Sequence, residues 1–322
     1  MKKYLGLLAL VILGISVGCS KHEGYVKTEG MIWNTVYHIT YKGRAQLQDS
    51  ILPVLNEVGN SLSVFDKNSL ISQLNNSEKV RADRHLVIVY DEAKKISLLS
   101  EGKFDPTVSP LVDAWGFGLG HVASKDTLAI DSILTFVGIR KTHRDDDWII
   151  KDDLRTRFNF SAIAKGYGCD AVGEMFRRNG VNDYMVEIGG EIALRGASPS
   201  GGKWRIAIDM PQEDLAPGEE AAEILELTDV GVATSGNYRN YREENGRKVA
   251  HTISPLTGRP VAGEILSATV IAPTCMEADG LATACMAGTL QEAVLLLEKA
   301  GVEGFLISVN GSVWVPGRID RN

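Results

Sequence analysis

The segment Glu277-Ala278-Asp279-Gly280-Leu281-Ala282-Thr283 sets two oxygen-bearing side chains four residues apart among small neighbours. On a helix, the Asp279 carboxylate and the Thr283 hydroxyl would share a face. Hard cations such as Mg²⁺ prefer oxygen ligands, and Ala278, Ala282 and Ala284 leave room beside the pair. Taken alone, Asp279 also fits a plainer role, an acid near a helix N-terminus that complements the backbone dipole. A second group is Asn159-Phe160-Ser161-Ala162-Ile163-Ala164-Lys165-Gly166-Tyr167, where a strand end runs into a helix start. Helix N-termini offer free N–H groups and positive potential to phosphates. Lys165 in the first turn would oppose that potential unless an anion or acid sits nearby. A snorkelling surface lysine is the alternative. A third group joins Ala233-Thr234-Ser235-Gly236-Asn237-Tyr238 to His251-Thr252-Ile253-Ser254-Pro255-Leu256-Thr257-Gly258-Arg259-Pro260. Its Gly, Pro and hydroxyl residues suit shaped loops around a site. His251 is a candidate general acid or base, since an unperturbed imidazole titrates near ~6.5. Ser235 with His251 raises a serine hydrolase, but Thr-Ser-Gly-Asn lacks the first Gly of a nucleophile elbow.

These residues need elements to hold them. Met31 to Tyr41 alternates and is rich in Trp, Tyr, Val, Ile and Thr, which predicts a strand. Apolar spacing predicts amphipathic helices over 45–60 and 84–100. Residues 102–107 carry Gly and Pro and read as irregular. The charged stretch 121–157 reads as an excursion of turns with a short strand. Ser161 to Arg178 reads as a helix with Ser161 as N-cap and Asn179-Gly180 as its stop. Strands follow at Val181–Ile188 and Trp204–Asp209, then an acidic loop at 211–222. A hairpin is expected around Glu244-Asn245-Gly246. A strand is expected at Ser267–Ala272, helices at Met276–Gly288 and 290–300, and a last hairpin around Asn310-Gly311. Strands and helices mix without regular βαβ spacing. The expected class is therefore α+β, with mixed, largely antiparallel sheets and flanking helices. No internal repeat and no GxGxxG nucleotide fingerprint is present.

In this order the motifs resemble the ApbE family of flavin transferases. Further stretches carry the likeness: Trp33-Asn34-Thr35-Val36-Tyr37, Leu62-Ser63-Val64-Phe65, Ser69-Leu70-Ile71-Ser72-Gln73-Leu74-Asn75, Phe104-Asp105-Pro106-Thr107 to Gly118, and Glu187-Ile188-Gly189-Gly190-Glu191. The likeness runs from about residue 28 to 318. It implies an ApbE-like, T-fold-like domain over 29–322. It also implies transfer of FMN from FAD to a threonine hydroxyl of an acceptor protein, with release of AMP. FAD pyrophosphate hydrolysis and FAD binding without chemistry are the alternatives. The resemblance places the isoalloxazine near Trp33 and Phe65 and the adenosine near Phe104 and Asp105. Lys103, Asn159, Lys165 and Ile253 are further FAD-contacting positions. The implied Mg²⁺ ligands are the Ala162 carbonyl, Asp279, Thr283 and the Ala282 backbone, and His251 assists proton transfer. Many relatives have Asp where Asn159 stands, Gly where Asn34 and Ser161 stand, and Asp where Ser254 stands. Asn159 can hydrogen-bond but brings no charge.

Of 322 residues, 44% are hydrophobic and 23% charged, as in a globular protein. The formal charge is −7 with no basic cluster, which argues against nucleic acid as a partner. Lys2 and Lys3 precede the apolar run Leu5 to Val17, then Gly18 and Cys19. This pattern reads as a secretory signal, and the run is shorter than the ~20 residues of a spanning helix. Cys19 after Ser-Val-Gly resembles a bacterial lipoprotein signal. The expectation is a signal peptide over 1–18, lipidation at Cys19 and a polar linker over 19–28. The protein would then be lipid-anchored on the cell membrane, facing the periplasm, and its acceptor a redox-pump subunit or an exported flavoprotein. Cys169, Cys275 and Cys285 have no metal-binding spacing and read as packing residues.

Overall fold

The computed structural model describes residues 24–117, 127–211, 220–236, 241–244, 247–250, 252–261 and 263–318. In chain order the elements are β1 (Tyr25–Ile32), β2 (Thr35–Lys42), α1 (Ile51–Leu62), α2 (Leu70–Asn75), β3 (Lys79–Arg81), α3 (Arg84–Leu99), α4 (Ser109–Ala114), α5 (Thr127–Leu134), β4 (Thr142–Asp145), β5 (Trp148–Lys151), α6 (Ala164–Arg178), β6 (Tyr184–Ile188) and β7 (Glu191–Arg195). They continue with β8 (Trp204–Asp209), β9 (Ala221–Leu227), β10 (Gly231–Gly236), β11 (Tyr241–Glu244), β12 (Arg247–Ala250), β13 (Ile265–Ala272), α7 (Cys275–Met286), α8 (Leu290–Ala300), β14 (Glu303–Ser308) and β15 (Gly311–Val315). The signal segment, Cys19, the acidic stretch 212–219 and His251 lie outside the described residues. Among the described residues no helix is long and apolar enough to cross a membrane.

An eight-stranded sheet in the order β1-β2-β6-β7-β10-β13-β14-β15 forms the centre, with every neighbouring pair antiparallel. The expected α+β class with antiparallel sheets is therefore what the chain adopts. One face of the sheet is covered by α1, α6, α7 and α8, whose buried side chains merge with those of α3. The other face is covered by the β8–β9 hairpin, where Trp204, Ile206, Leu225 and Leu227 meet Leu194, Val232 and Ile271. The central strand β13 is thus buried on both sides, and its sequence Ile-Leu-Ser-Ala-Thr-Val-Ile-Ala reads as a nearly continuous small-apolar run.

The single strand expected over Met31–Tyr41 is two strands. Trp33 and Asn34 both have positive φ, 49° and 62°, and they join β1 to β2 with Ile32 opposite Thr35. Two consecutive left-handed residues make the tight hairpin turn whose twist suits antiparallel strands. Part of the expected linker is also strand. Tyr25 hydrogen-bonds the Ala197 carbonyl at 2.8 Å and packs with the β8–β9 cluster, which fixes the start of β1. The helix expected from Ser161 begins at Ala164. Phe160 and Ile163 are fully buried, and the Phe160 carbonyl takes the amides of both Ile163 and Ala164. That buried turn uses up residues 161–163 before the helix can start.

Against α6 lies α7, a helix whose buried face holds Ala278, Gly280, Ala282 and Ala284. Contact is closest at Gly166, where a Cβ would stand 2.4 Å from the Cys275 carbonyl oxygen and 2.9 Å from the Asp279 Cβ. Asp170 of α6 caps α7 directly, accepting the Cys275 and Met276 amides at 3.0 and 2.8 Å. Thr274 accepts the Glu277 amide at 3.2 Å as the N-cap.

Candidate functional site

The start of α6, the start of β7, the end of β10 and one face of α7 converge on a cavity of about 770 Å³. Asn159, Ala162, Lys165, Glu191, Ser235, Asp279 and Thr283 line its polar wall. Val112, Phe117, Ile253 and Met286 line the apolar side. The size lies within the range of small-molecule sites.

The late start of α6 decides the chemistry of the polar wall. In a helix begun at Ser161, the Gly166 N–H would bond the Ala162 carbonyl four residues back. Here it donates instead to Asp279 Oδ2 at 3.0 Å. The Ala162 carbonyl is left outside the helix, 3.4 Å from the Thr283 hydroxyl. Thr283 Oγ1 is also 3.4 Å from the Ser235 hydroxyl. Both contacts are long and weak, so these oxygens keep capacity for another partner. Asp279 is 3% exposed, and burial raises its pKa against the pull of Lys165 and the Gly166 N–H.

Lys165, in the first turn of α6, forms an ion pair with Glu191 at 2.5 Å. Burial alone would lower the lysine pKa, but Glu191 and Asp279 outweigh it and hold it above its usual value. Glu191 is raised by burial and by Asp279, against the pull of Lys165. Its second oxygen, Oε2, is buried without a hydrogen-bond partner among the described residues. The site therefore holds two buried carboxylates and one ammonium, with oxygen donors from a hydroxyl and a carbonyl. No cluster of three or more His, Cys, Asp or Glu stands ready for a metal among the described residues. The available set is mixed oxygen, which fits a hard cation such as Mg²⁺.

A smaller apolar pocket of about 240 Å³ adjoins the cavity and shares Ser161 and Lys165 with it. Trp33, Leu62, Val64 and Phe65 line it, and Phe65 is 70% exposed at its rim. The Trp33 indole is seated by two glycines. A Cβ on Gly59 would come within 2.9 Å of its Nε1, and one on Gly168 within 2.6 Å of the ring.

The structure thus brings together Trp33, Phe65, Asn159, Ala162, Lys165, Ile253, Asp279 and Thr283 from the expected set. Asn159 also shapes the turn, its side-chain oxygen accepting the Ser161 amide at 2.9 Å. Four expected residues do not line either pocket. Phe104 is in the main core, and Asp105 is held between its own loop and the Ile139 amide. Lys103 pairs with Glu292 at 3.2 Å at the foot of α8. Ala282 is fully buried inside α7 and does not line the cavity. His251 lies outside the described residues, while Thr252 and Ile253, just after it, line the cavity. Sequence reasoning did not single out Glu191 as a site residue. Its signal was an acid directly after Gly189-Gly190 at the head of a short strand.

The ApbE family model matches residues 33–306. The chain belongs to the ApbE family. The chain is 38% identical over 293 residues to a FAD:protein FMN transferase of Vibrio cholerae serotype O1, covering 87% of this chain and 86% of that one. A FAD:protein FMN transferase of Haemophilus influenzae is 33% identical over 326 residues, covering 95% and 93%. Among solved structures, the flavin transferase ApbE from Vibrio cholerae superposes with a TM-score of 0.80 at 33% identity, covering 91% of this chain and 97% of that one. The apo form of the Pseudomonas stutzeri flavinyl transferase ApbE gives 0.80 at 26% identity, covering 91% and 96%.

Proposed function

We propose that this chain is a FAD:protein FMN transferase that works with Mg²⁺ held by Asp279, the Thr283 hydroxyl and the Ala162 carbonyl. The observation that carries the cation reading is the diverted Gly166 amide. It orients Asp279 and frees the Ala162 carbonyl on the same wall as Thr283. When bound, the cation would neutralise pyrophosphate charge and so ease departure of AMP. Lys165 at the helix start supplies a second positive charge for the phosphates. The apolar pocket at Trp33 and Phe65 offers a stacking surface for a flat ring. The hydroxyl of an acceptor threonine attacks the FMN phosphorus, the bond to AMP breaks, and His251 accepts the hydroxyl proton. The products are an FMN phosphoester on the threonine and AMP.

Incubation with FAD, Mg²⁺ and a candidate acceptor, followed by intact mass, tests this. Transfer adds one FMN minus water to the acceptor. AMP release without labelling would assign the site to hydrolysis, with water in place of the threonine. Unchanged FAD would leave only binding.

The basic start, the apolar run and Cys19 support export and lipid anchoring, with the enzyme facing the periplasm. An acceptor reached there would be a redox-pump subunit or an exported flavoprotein. Labelling with a radioactive fatty acid that survives Cys19→Ala would refute the anchor at that residue.

A further inference from the structure

Lys165 lines the same cavity as the Glu191 and Asp279 carboxylates and has a flexible four-carbon stem. It is bonded to Glu191, yet the amide of Gly166, the next residue, reaches Asp279, so the ammonium and that carboxylate share one wall of the cavity. Asp279 has one hydrogen bond among the described residues, from the Gly166 amide to Oδ2. An ammonium that settled on Asp279 would occupy the carboxylate a cation needs. We infer that Glu191 is a positioning residue whose role is to hold the Lys165 ammonium away from Asp279, leaving that carboxylate open to a divalent cation. This rests on the cation reading above.

The construction around Glu191 supports that role. Gly189 and Gly190 turn the chain with φ of 60° and 100°, and the Glu187 carboxylate accepts the Gly190 amide at 2.7 Å. The Cys169 thiol contacts the Glu191 backbone carbonyl at 3.1 Å. The head of β7 is therefore fixed, and the carboxylate projects to the same point from a rigid strand. Its Oε2 is buried with no hydrogen-bond partner among the described residues. Such an oxygen costs stability wherever it occurs. A carboxylate kept at that cost beside an ammonium is explained by its hold on the ammonium. Stability alone is a weak reason to keep such a pair, since replacing both partners by apolar side chains is often neutral or stabilising.

Mn²⁺, titrated onto the full mature chain without FAD and followed by the loss of its free-ion paramagnetic resonance signal, tests the inference apart from turnover. Outer-shell partners of a metal site typically change its affinity 10–100-fold, so Glu191→Gln should weaken Mn²⁺ binding by roughly that factor. Glu191→Asp, which keeps the charge, should retain most of the binding, and melting curves on each variant report whether it folds. The deciding variant is Lys165→Met together with Glu191→Gln. With the competing ammonium gone, binding should return close to the wild-type value. A double variant as weak as Glu191→Gln would overturn the inference and make Glu191 a direct ligand. Unchanged binding in Glu191→Gln, with binding lost in Asp279→Ala, would overturn the inference alone. Binding that survives Asp279→Ala would overturn the cation site itself.

Discussion

Asp105 and Asp279 are both buried, at 9% and 3% exposure, and burial raises the pKa of both. They differ in what surrounds them. Asp105 Oδ1 accepts the Thr107 amide and hydroxyl at 2.8 and 2.6 Å, and Oδ2 accepts the Ile139 amide at 2.8 Å. Thr107 in turn accepts the Gly138 amide at 2.7 Å. Two loops far apart in sequence are stapled by one carboxylate whose demand is met. Among the described residues, Asp279 has a single amide and opens on a cavity, beside a glutamate with an orphaned oxygen. A satisfied buried acid stabilises the fold, whereas an under-satisfied one lining a cavity keeps capacity for a ligand. The family likeness implies a place near the adenosine for Asp105 and at the metal for Asp279; their hydrogen bonds differ.

The largest effect expected is on turnover. Asp279→Ala should lower FMN transfer by roughly 10²–10³-fold, the loss typical of removing one electrostatic contributor to a transition state. Its melting temperature should fall less than that of Asp105→Ala, because only one amide is orphaned and removal of a buried, poorly compensated charge offsets that cost. Acceptor mass and a thermal melt on the same preparation read both, and a large drop in melting temperature would erase the contrast. Asp105→Ala should do the reverse. Orphaned donors cost ~1–3 kcal/mol each, so the loss from this site should reach about 3 kcal/mol or more, read from a urea midpoint. FAD affinity of the folded fraction should stay unchanged. Gly166→Ala should fall between the two, since its Cβ would drive α6 from α7 at the Cys275 carbonyl. Overpacking of this kind costs ~1–3 kcal/mol, and displacement of Asp279 should reduce transfer as well.

The smallest effect concerns a third acid. Burial pushes Asp170 up to about 7, against the amides of Met276 and Cys275. The residue is only half-buried and lines a cavity of about 130 Å³, so water there moderates the shift. In the folded chain the carboxyl keeps its proton to higher pH than in the unfolded chain. Its contribution is therefore full below pH ~4, the unfolded value, and is lost as pH rises towards about 7. Urea midpoints should fall across that window, and Asp170→Asn should flatten the fall.

Much of this was legible locally. The α3 and α8 helices and the β14–β15 hairpin follow apolar spacing and turn residues, which act over a few neighbours. The β1–β2 turn was not read, because Trp33-Asn34 lacks the glycine that usually announces a tight hairpin. The start of α6 was misread because Ser161 is a good cap by type, while the burial of Phe160 and Ile163 moved the start to Ala164.

Asp279 and Thr283 share a face because they are one helical turn apart, and the sequence alone determined that. It also determined the antiparallel α+β class and the family. The tertiary structure decided that the Gly166 amide crosses to Asp279, that the Ala162 carbonyl is left free, and that β7 brings Glu191 to Lys165. It also decided that Asp105 ties its own loop to the Ile139 amide of a second one. Helical spacing is a property of neighbouring residues. Which donor meets which acceptor across more than a hundred residues depends on how two helices and a strand pack.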